Sequence, residues 1–236
     1  MVIVRSVVPE GPQMLACDNC GMPVPKSTGR TARRLVRDDV YDRLLEVILD
    51  GTLQPGERIV DSDIEAWLGA SRTPVRDAIA RLERKGLVEI VPQRYSRIAL
   101  IDAAQVRHHL EVLEPLILLA VEKATAALTP QERAQAARLS ERIAGAQPGR
   151  ERVGAVRELL SLWIARYGNA HLREVVEDLS LLVVVHLVNH PEMATPESAA
   201  SLVAAADAAA AGDPAAAVAA VSEAFRRIDD GVDALP

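Results

Sequence analysis

The chain has 236 residues, 49% of them hydrophobic but only 3% aromatic, and a formal net charge of −6 at pH 7. That apolar content can fill one large core or two modest ones, and many Ala, Val and Leu beside few aromatics favour packed helices over a β-sandwich. No run of 18 or more uncharged apolar residues occurs, which argues against a transmembrane helix, and the apolar opening 1–8 is too short for a signal peptide, so a cytoplasmic protein is expected.

The negative total speaks against nucleic acid at first, but the charge is uneven. Residues 26–100 carry 14 basic and 12 acidic side chains, a net +2, whereas 101–236 carry 12 basic and 19 acidic, a net −7. A weakly basic segment joined to an acidic one fits a small DNA-binding module beside a larger body.

Residues 1–29 hold Gly, Pro and polar residues without helical or strand period and read as a disordered arm. Cys17 and Cys20 have the C-x-x-C spacing of a zinc knuckle or redox pair, but with no other cysteine and no nearby His the four ligands of structural zinc are not supplied. A start at Met22 is an alternative reading of this arm. Residues 35–50 then have helical spacing, with Leu35, Val40, Leu44, Val47 and Ile48 on one face. Gly51 ends that helix and Leu53-Gln54-Pro55-Gly56 reads as a turn. A short second helix spans 61–68 with Ile64, Trp67 and Leu68 inward. After Gly69-Ala70 comes a third, N-capped by Ser71, with Pro74 in its first turn and Gly86 at its end. Residues 87–91 and 96–100 read as strands around Pro92-Gln93-Arg94-Tyr95. Helix, helix, turn, helix, hairpin is the order of a winged helix-turn-helix.

The third helix concentrates the chemistry. Arg72 and Arg76 stand one turn apart on one side, while Val75, Ile79 and Leu82 form the opposite face. Ser71, Arg72 and Thr73 lie at the helix N-terminus, where free N–H groups and the dipole favour phosphate. An apolar back with an arginine-bearing front suits a major groove, where Arg pairs with guanine O6 and N7. In isolation the same arginines would be read as a solvated helix face; between a helix-turn and a basic hairpin, the DNA reading takes precedence.

The stretch 40–101 resembles the DNA-binding domain of the GntR family. The resemblance rests on Gly51-Thr52-Leu53-Gln54-Pro55-Gly56-Glu57-Arg58, on Leu68-Gly69-Ala70-Ser71-Arg72-Thr73-Pro74-Val75-Arg76-Asp77-Ala78, and on Leu82-Glu83-Arg84-Lys85-Gly86-Leu87-Val88. It implies that Arg72 and Arg76 contact bases or adjacent phosphates, that Thr73 contacts phosphate, and that the wing enters the minor groove. The expected DNA-facing set is Arg34, Ser71, Arg72, Thr73, Pro74, Arg76, Arg94, Tyr95 and Arg97. Two departures stand out. Ser62 occupies a place where the family often has Arg, and Tyr95 is expected at the wing tip where glycine is usual.

From Asp102 onward the pattern predicts helices over 102–127, 130–145, 151–167, 170–189, 196–211 and 214–230, separated by Pro and Gly breaks. Residues 179–188 are apolar on every side, which predicts burial in the bundle centre or at a subunit interface. This region resembles the FCD effector-binding domain of the FadR-like branch, through Leu113-Glu114-Pro115, Tyr167-Gly168-Asn169 and Ala211-Gly212-Asp213. That resemblance implies a metal held by one Asp and three His, with small carboxylates bound against it. The four matching positions here are Val156, Leu160, Leu202 and Ala224, and none can ligate. His186 and His190, four residues apart, could offer two ligands at most; His186 within an apolar helix reads more simply as a core or pocket histidine.

The expected architecture is therefore mostly α: a disordered arm over 1–29, a winged helix-turn-helix over 30–101, and an all-α FCD-like bundle for effector binding and dimerisation over 102–236. The expected pocket comprises Leu110, Glu114, Val156, Leu160, Trp163, Tyr167, His186, Leu202 and Ala224, with no metal and no cofactor. Filled core and open pocket both fit these residues. An open pocket would suit an apolar effector such as an aromatic or acyl acid. The expected function is a homodimeric, metabolite-responsive repressor on a palindromic DNA operator. The alternative is a DNA-binding or protein-interaction scaffold that has lost its effector. No Ser/His/Asp set, phosphate loop or paired carboxylates suggest an enzyme.

Overall fold

The computed structural model describes residues 37–232. The arm over 1–29, Cys17 and Cys20, and the expected contact Arg34 lie outside the described residues.

The N-terminal elements are α1 (Arg37–Leu49), β1 (Arg58–Ile59), α2 (Asp61–Leu68), α3 (Arg72–Arg84), β2 (Val88–Val91) and β3 (Tyr95–Ile98). The three strands form an antiparallel sheet in the order β1-β3-β2. Strand β1, between the turn at 53–56 and the second helix, where the sequence predicts no element, has only two residues, too few for an alternation to show. It exists because β3 offers its free edge, pairing Arg58 with Arg97 and Ile59 with Ser96. Val40, Leu44, Val47 and Ile48 of α1 are buried with Ile64 of α2 and Val75, Ile79 and Leu82 of α3. Trp67 and Leu68 are only half-buried, packed at the margin of this core. Helix α3 ends in a Schellman turn: the Leu87 N–H donates to the Leu82 carbonyl and the Gly86 N–H to that of Glu83, with Gly86 at φ +73°.

The chain continues as α4 (Ala103–Thr125), α5 (Pro130–Gly145), α6 (Arg150–Tyr167), α7 (Ala170–Asn189), a short 3-10 turn (Pro191–Met193), α8 (Pro196–Ala211) and α9 (Pro214–Val232). Side chains start several of them as the sequence suggests. Asp102 accepts from the Gln105 N–H, Asn169 from Leu172 and Thr195 from Ser198, and Thr129 with Glu132 forms a reciprocal capping box. Among the described residues no helix is long and apolar enough to cross a membrane.

Buried apolar side chains fall into two clusters, and α7 belongs to both. Val176 and Val183 pack into the bundle, while Leu181, Leu182, Val184 and Val185 join the N-terminal core together with Val153 of α6. The apolar girdle of α7 thus has a reason beyond the two read from sequence: one side closes the bundle and the other closes the winged module. Ionic contacts border this seam. Lys85 pairs with Asp178, and Arg150 pairs with the Asp50 carboxylate at 3.1 Å while donating to the Thr52 hydroxyl at 3.2 Å.

Candidate functional site

Helix α3 presents two faces. Val75, Ala78, Ile79 and Leu82 are buried, which holds the helix on the core formed with α1. Ser71, Arg72, Thr73 and Arg76 are exposed and Pro74 is half-buried, so the first two turns carry the free surface. Ser71 has the extended backbone of an N-cap, but its hydroxyl makes no capping bond, so the first N–H groups of α3 are not closed by it. The side chains of Arg72 and Arg76 are 69% and 67% exposed, and the Nε of each lies 3.9 Å from the Asp61 carboxylate. Asp61, at the start of α2, faces both arginines. At that range and exposure it biases their direction without neutralising them.

The hairpin departs from expectation at its tip. Val91 pairs with Tyr95, so residues 92–94 make the turn and Gln93, at φ 60°, takes the left-handed backbone position. Tyr95 is therefore a strand residue and not the tip, because a turn this short needs its positive φ at the centre. The Tyr95 ring lies on the outer sheet face between the guanidinium groups of Arg58 and Arg97, 5.4 and 5.5 Å from its centroid. Arg97 is held across the sheet by Glu89 at 2.7 Å, and that hydrogen bond raises its pKa further above the ordinary arginine value. The exposed cation at the tip is Arg94.

Within the bundle, helices α4, α6, α7, α8 and α9 enclose a cavity of about 380 Å³, lined mostly by hydrocarbon. Leu110, Val156, Leu160, Leu202 and Ala224 line it; Glu114, Trp163, Tyr167 and His186 do not. The Glu114 carboxylate is occupied in accepting from the Ser222 hydroxyl at 2.7 Å, tying α4 to α9. Trp163 is buried, its indole N–H donating to Thr125 Oγ1 at 3.0 Å. Tyr167 closes the end of α6 against the bundle core. His186 is buried with its ring 4.5 Å from that of His190 and its Nε2 without a hydrogen-bond partner. Burial, then His190, pushes its pKa down to about 4, so it is neutral at pH 7. The polar side chains that do reach the cavity are Arg152, Arg157, Ser161, Glu177, Ser180 and Ser198.

The four positions to which the FCD resemblance assigns metal ligands, Val156, Leu160, Leu202 and Ala224, converge on this one cavity. Hydrocarbon has no lone pairs to replace the hydration of a divalent ion, so the lining does not fit a metal. Among the described residues no group of three or more His, Cys, Asp and Glu side chains could hold one.

Residues 36–98 match the family described as bacterial regulatory proteins, gntR family. Over 155 residues the chain is 31% identical to the HTH-type transcriptional regulator McbR of Escherichia coli K12, a match covering 64% of this chain and 70% of McbR. The chain belongs to the GntR family. It is also 32% identical over 105 residues to an HTH-type transcriptional regulator in an unstable DNA locus of Streptomyces ambofaciens, but that match spans 44% of this chain and 43% of the relative. The fold agrees. The structure of E. coli McbR/YncC aligns over 81% of this chain and 95% of its own, with TM-score 0.70 and 24% identity. A GntR transcriptional regulator from Rhodococcus sp. RHA1 aligns over 85% and 98%, with TM-score 0.72 and 20% identity.

Several residues of this GntR-family site escaped sequence reading. Asp61 and Arg58 meet the recognition helix and wing only through the tertiary fold. Arg157 could have been found, since it follows Val156 and sits one turn before Leu160 on the cavity stripe of α6.

Proposed function

We propose that this chain is a sequence-specific DNA-binding transcription regulator, a metabolite-responsive repressor acting as a homodimer on a palindromic operator. One observation carries the reading. Arg72 and Arg76 project, exposed and side by side, from the first turns of a helix whose back is locked into a winged-helix core. In this reading α3 enters the major groove with both arginines towards base edges or phosphates, and Arg94 brings a cation from the hairpin to the adjacent groove. Residues 30–101 act as the reading module and 102–236 as the sensing and dimerising body, with no catalytic role, in the cytoplasm. One winged helix covers one half-site, so two copies are needed. The exposed apolar Val112 and Leu119 on α4, two turns apart on one face, supply a surface for the second copy.

The bundle cavity favours a responsive regulator over a scaffold that has lost its effector. Its wall includes Leu45 and Leu49 of α1, and α1 packs directly against α3. An occupant therefore touches the module that reads DNA, and binding it can shift the orientation of that module.

The test is enrichment of binding sites from a random duplex library followed by gel shift. The wild type is expected to select an inverted repeat, and Arg72→Ala or Arg76→Ala to weaken binding by about 1–3 kcal/mol with an unchanged circular dichroism spectrum. Wild-type affinity in both variants would remove α3 from the role.

A further inference from the structure

The face of α3 that carries Arg72 and Arg76 also meets an anion. Helix α2 packs against α3, and this brings Asp61, the first residue of α2, to both arginines. A single carboxylate oxygen, Oδ2, lies 3.9 Å from the Nε of Arg72 and 3.9 Å from the Nε of Arg76. An anion beside a DNA-reading surface repels phosphate and offsets part of the attraction of the cations. Helix α2 itself does not call for it. Its N-cap is Val60, without a side-chain capping bond, and Asp63 gives the first turn a second carboxylate. What distinguishes Asp61 is its position, shared between the two arginines. It is the Nε side of each guanidinium that faces it, which leaves the outer Nη1/Nη2 edge free. That edge is a fork able to pair with guanine O6 and N7.

From this arrangement we infer that Asp61 is a positioning residue that sets how sharply the protein separates its operator from other DNA. It holds Arg72 and Arg76 towards base edges and opposes their diversion to phosphate. The inference rests on the DNA-reading role of α3 above and adds to it a residue that determines specificity. The reason is a difference between two complexes. On DNA without the preferred bases, the long arginine side chains gain most by swinging to the phosphates. Doing so leaves the Asp61 carboxylate facing the polyanion without a cation beside it. On the operator each guanidinium stays between Asp61 on one edge and base acceptors on the other, so the carboxylate remains matched. Asp61 therefore weakens the non-specific complex more than the specific one, and specificity is that difference.

The test compares the full-length wild type with Asp61→Asn, which keeps the side-chain shape and removes the charge. Fluorescence anisotropy at one salt concentration measures binding to the duplex selected by the wild type and to a scrambled duplex of equal length. Asp61→Asn is expected to bind the scrambled duplex about tenfold tighter and the selected one within about threefold of wild type. The ratio of the two affinities then falls, while the circular dichroism spectrum is unchanged. Asp61→Glu, which restores a carboxylate, is expected to recover most of the ratio. Equal tightening on both duplexes would make Asp61 a uniform repulsive charge and overturn the inference. So would a fall in the ratio that Asp61→Glu does not recover. A loss confined to the selected duplex and traced to one base pair would make Asp61 itself the reader of that base, which also overturns it. If the wild type selects no sequence at all, the DNA-reading role of α3 fails first and this inference fails with it.

Discussion

Two buried polar side chains show how single residues set the chemistry of the bundle. Trp163 and Thr125 satisfy one another at 3.0 Å in the interior. Trp163→Phe removes the donor, leaves a buried hydroxyl unpaired and opens a small void, which is expected to cost about 1–3 kcal/mol. A urea titration measures it, and an unchanged midpoint would show that water reaches Thr125. His186 is the opposite case, a buried ring with an unpartnered nitrogen whose pKa lies at about 4 in the fold. Unfolded histidine titrates near ~6.5, so between that value and about 4 the unfolded chain binds a proton that the folded chain does not. Stability therefore rises with pH through this window and is lost as pH falls, by an amount on the order of 2 kcal/mol. Glu192 and Asp102 oppose part of the shift and His190 adds to it. Comparing urea midpoints of wild type and His186→Leu from pH 4 to pH 7 isolates the effect. A slope in that range that is equally steep in both would assign it to other groups.

At the scale of elements, the turns that end α1 and α3 both use glycine at positive φ, yet they differ in what a side chain would meet. A Cβ on Gly86 would lie 3.6 Å from Leu182, ordinary contact, so Gly86→Ala carries only the backbone strain of a left-handed alanine, about 1 kcal/mol. A Cβ on Gly51 would come within 2.9 Å of the Val188 methyl on α7, adding a clash across the seam to the same strain. Gly51→Ala is therefore expected to destabilise more than Gly86→Ala, and to raise hydrogen exchange in α1 and the C-terminal half of α7. Equal losses from the two would mean that the seam yields without cost. The exposed stripe on α4 is also an element-scale feature. Val112→Glu with Leu119→Glu is expected to shift the mass by sedimentation from dimer to monomer. A dimer that persists would place the interface elsewhere.

For the whole molecule the central fact is that the winged module does not close its own core. Leu181, Leu182, Val184 and Val185 on α7 are part of it. A fragment ending at Ile101 would expose the apolar surface those side chains cover. It is expected to melt well below the intact protein and to bind a hydrophobic dye, whereas the intact chain should unfold in one cooperative transition. A fragment as stable as the same segment in the full chain would show that the modules are independent, and would remove the path from cavity to recognition helix.

Local and periodic features of this protein were readable in its sequence. The helix ends at Thr129, Asn169 and Thr195, the glycine stop at Gly86, and the two faces of α3 follow from short-range spacing and capping, which need no knowledge of distant residues. The motif that carries the family likeness is of the same kind, a contiguous stretch. Even the convergence of Val156, Leu160, Leu202 and Ala224 on one cavity was foreshadowed by positions matched along the helices. Tertiary structure decided whatever depends on contact between elements. The two-residue β1 exists only because β3 offers an edge. Tyr95 lies in the strand because pairing with Val91 puts the turn's positive φ at Gln93. Trp163 and Glu114 turn away from the cavity because Thr125 and Ser222 meet their polar atoms, and Asp61 faces Arg72 and Arg76 because α2 packs against α3. The apolar girdle of α7 shows the division most clearly. Its composition demanded burial on every side, but hydrophobic burial is non-directional, so only the packed chain could specify that one side would serve the bundle and the other the DNA-reading module.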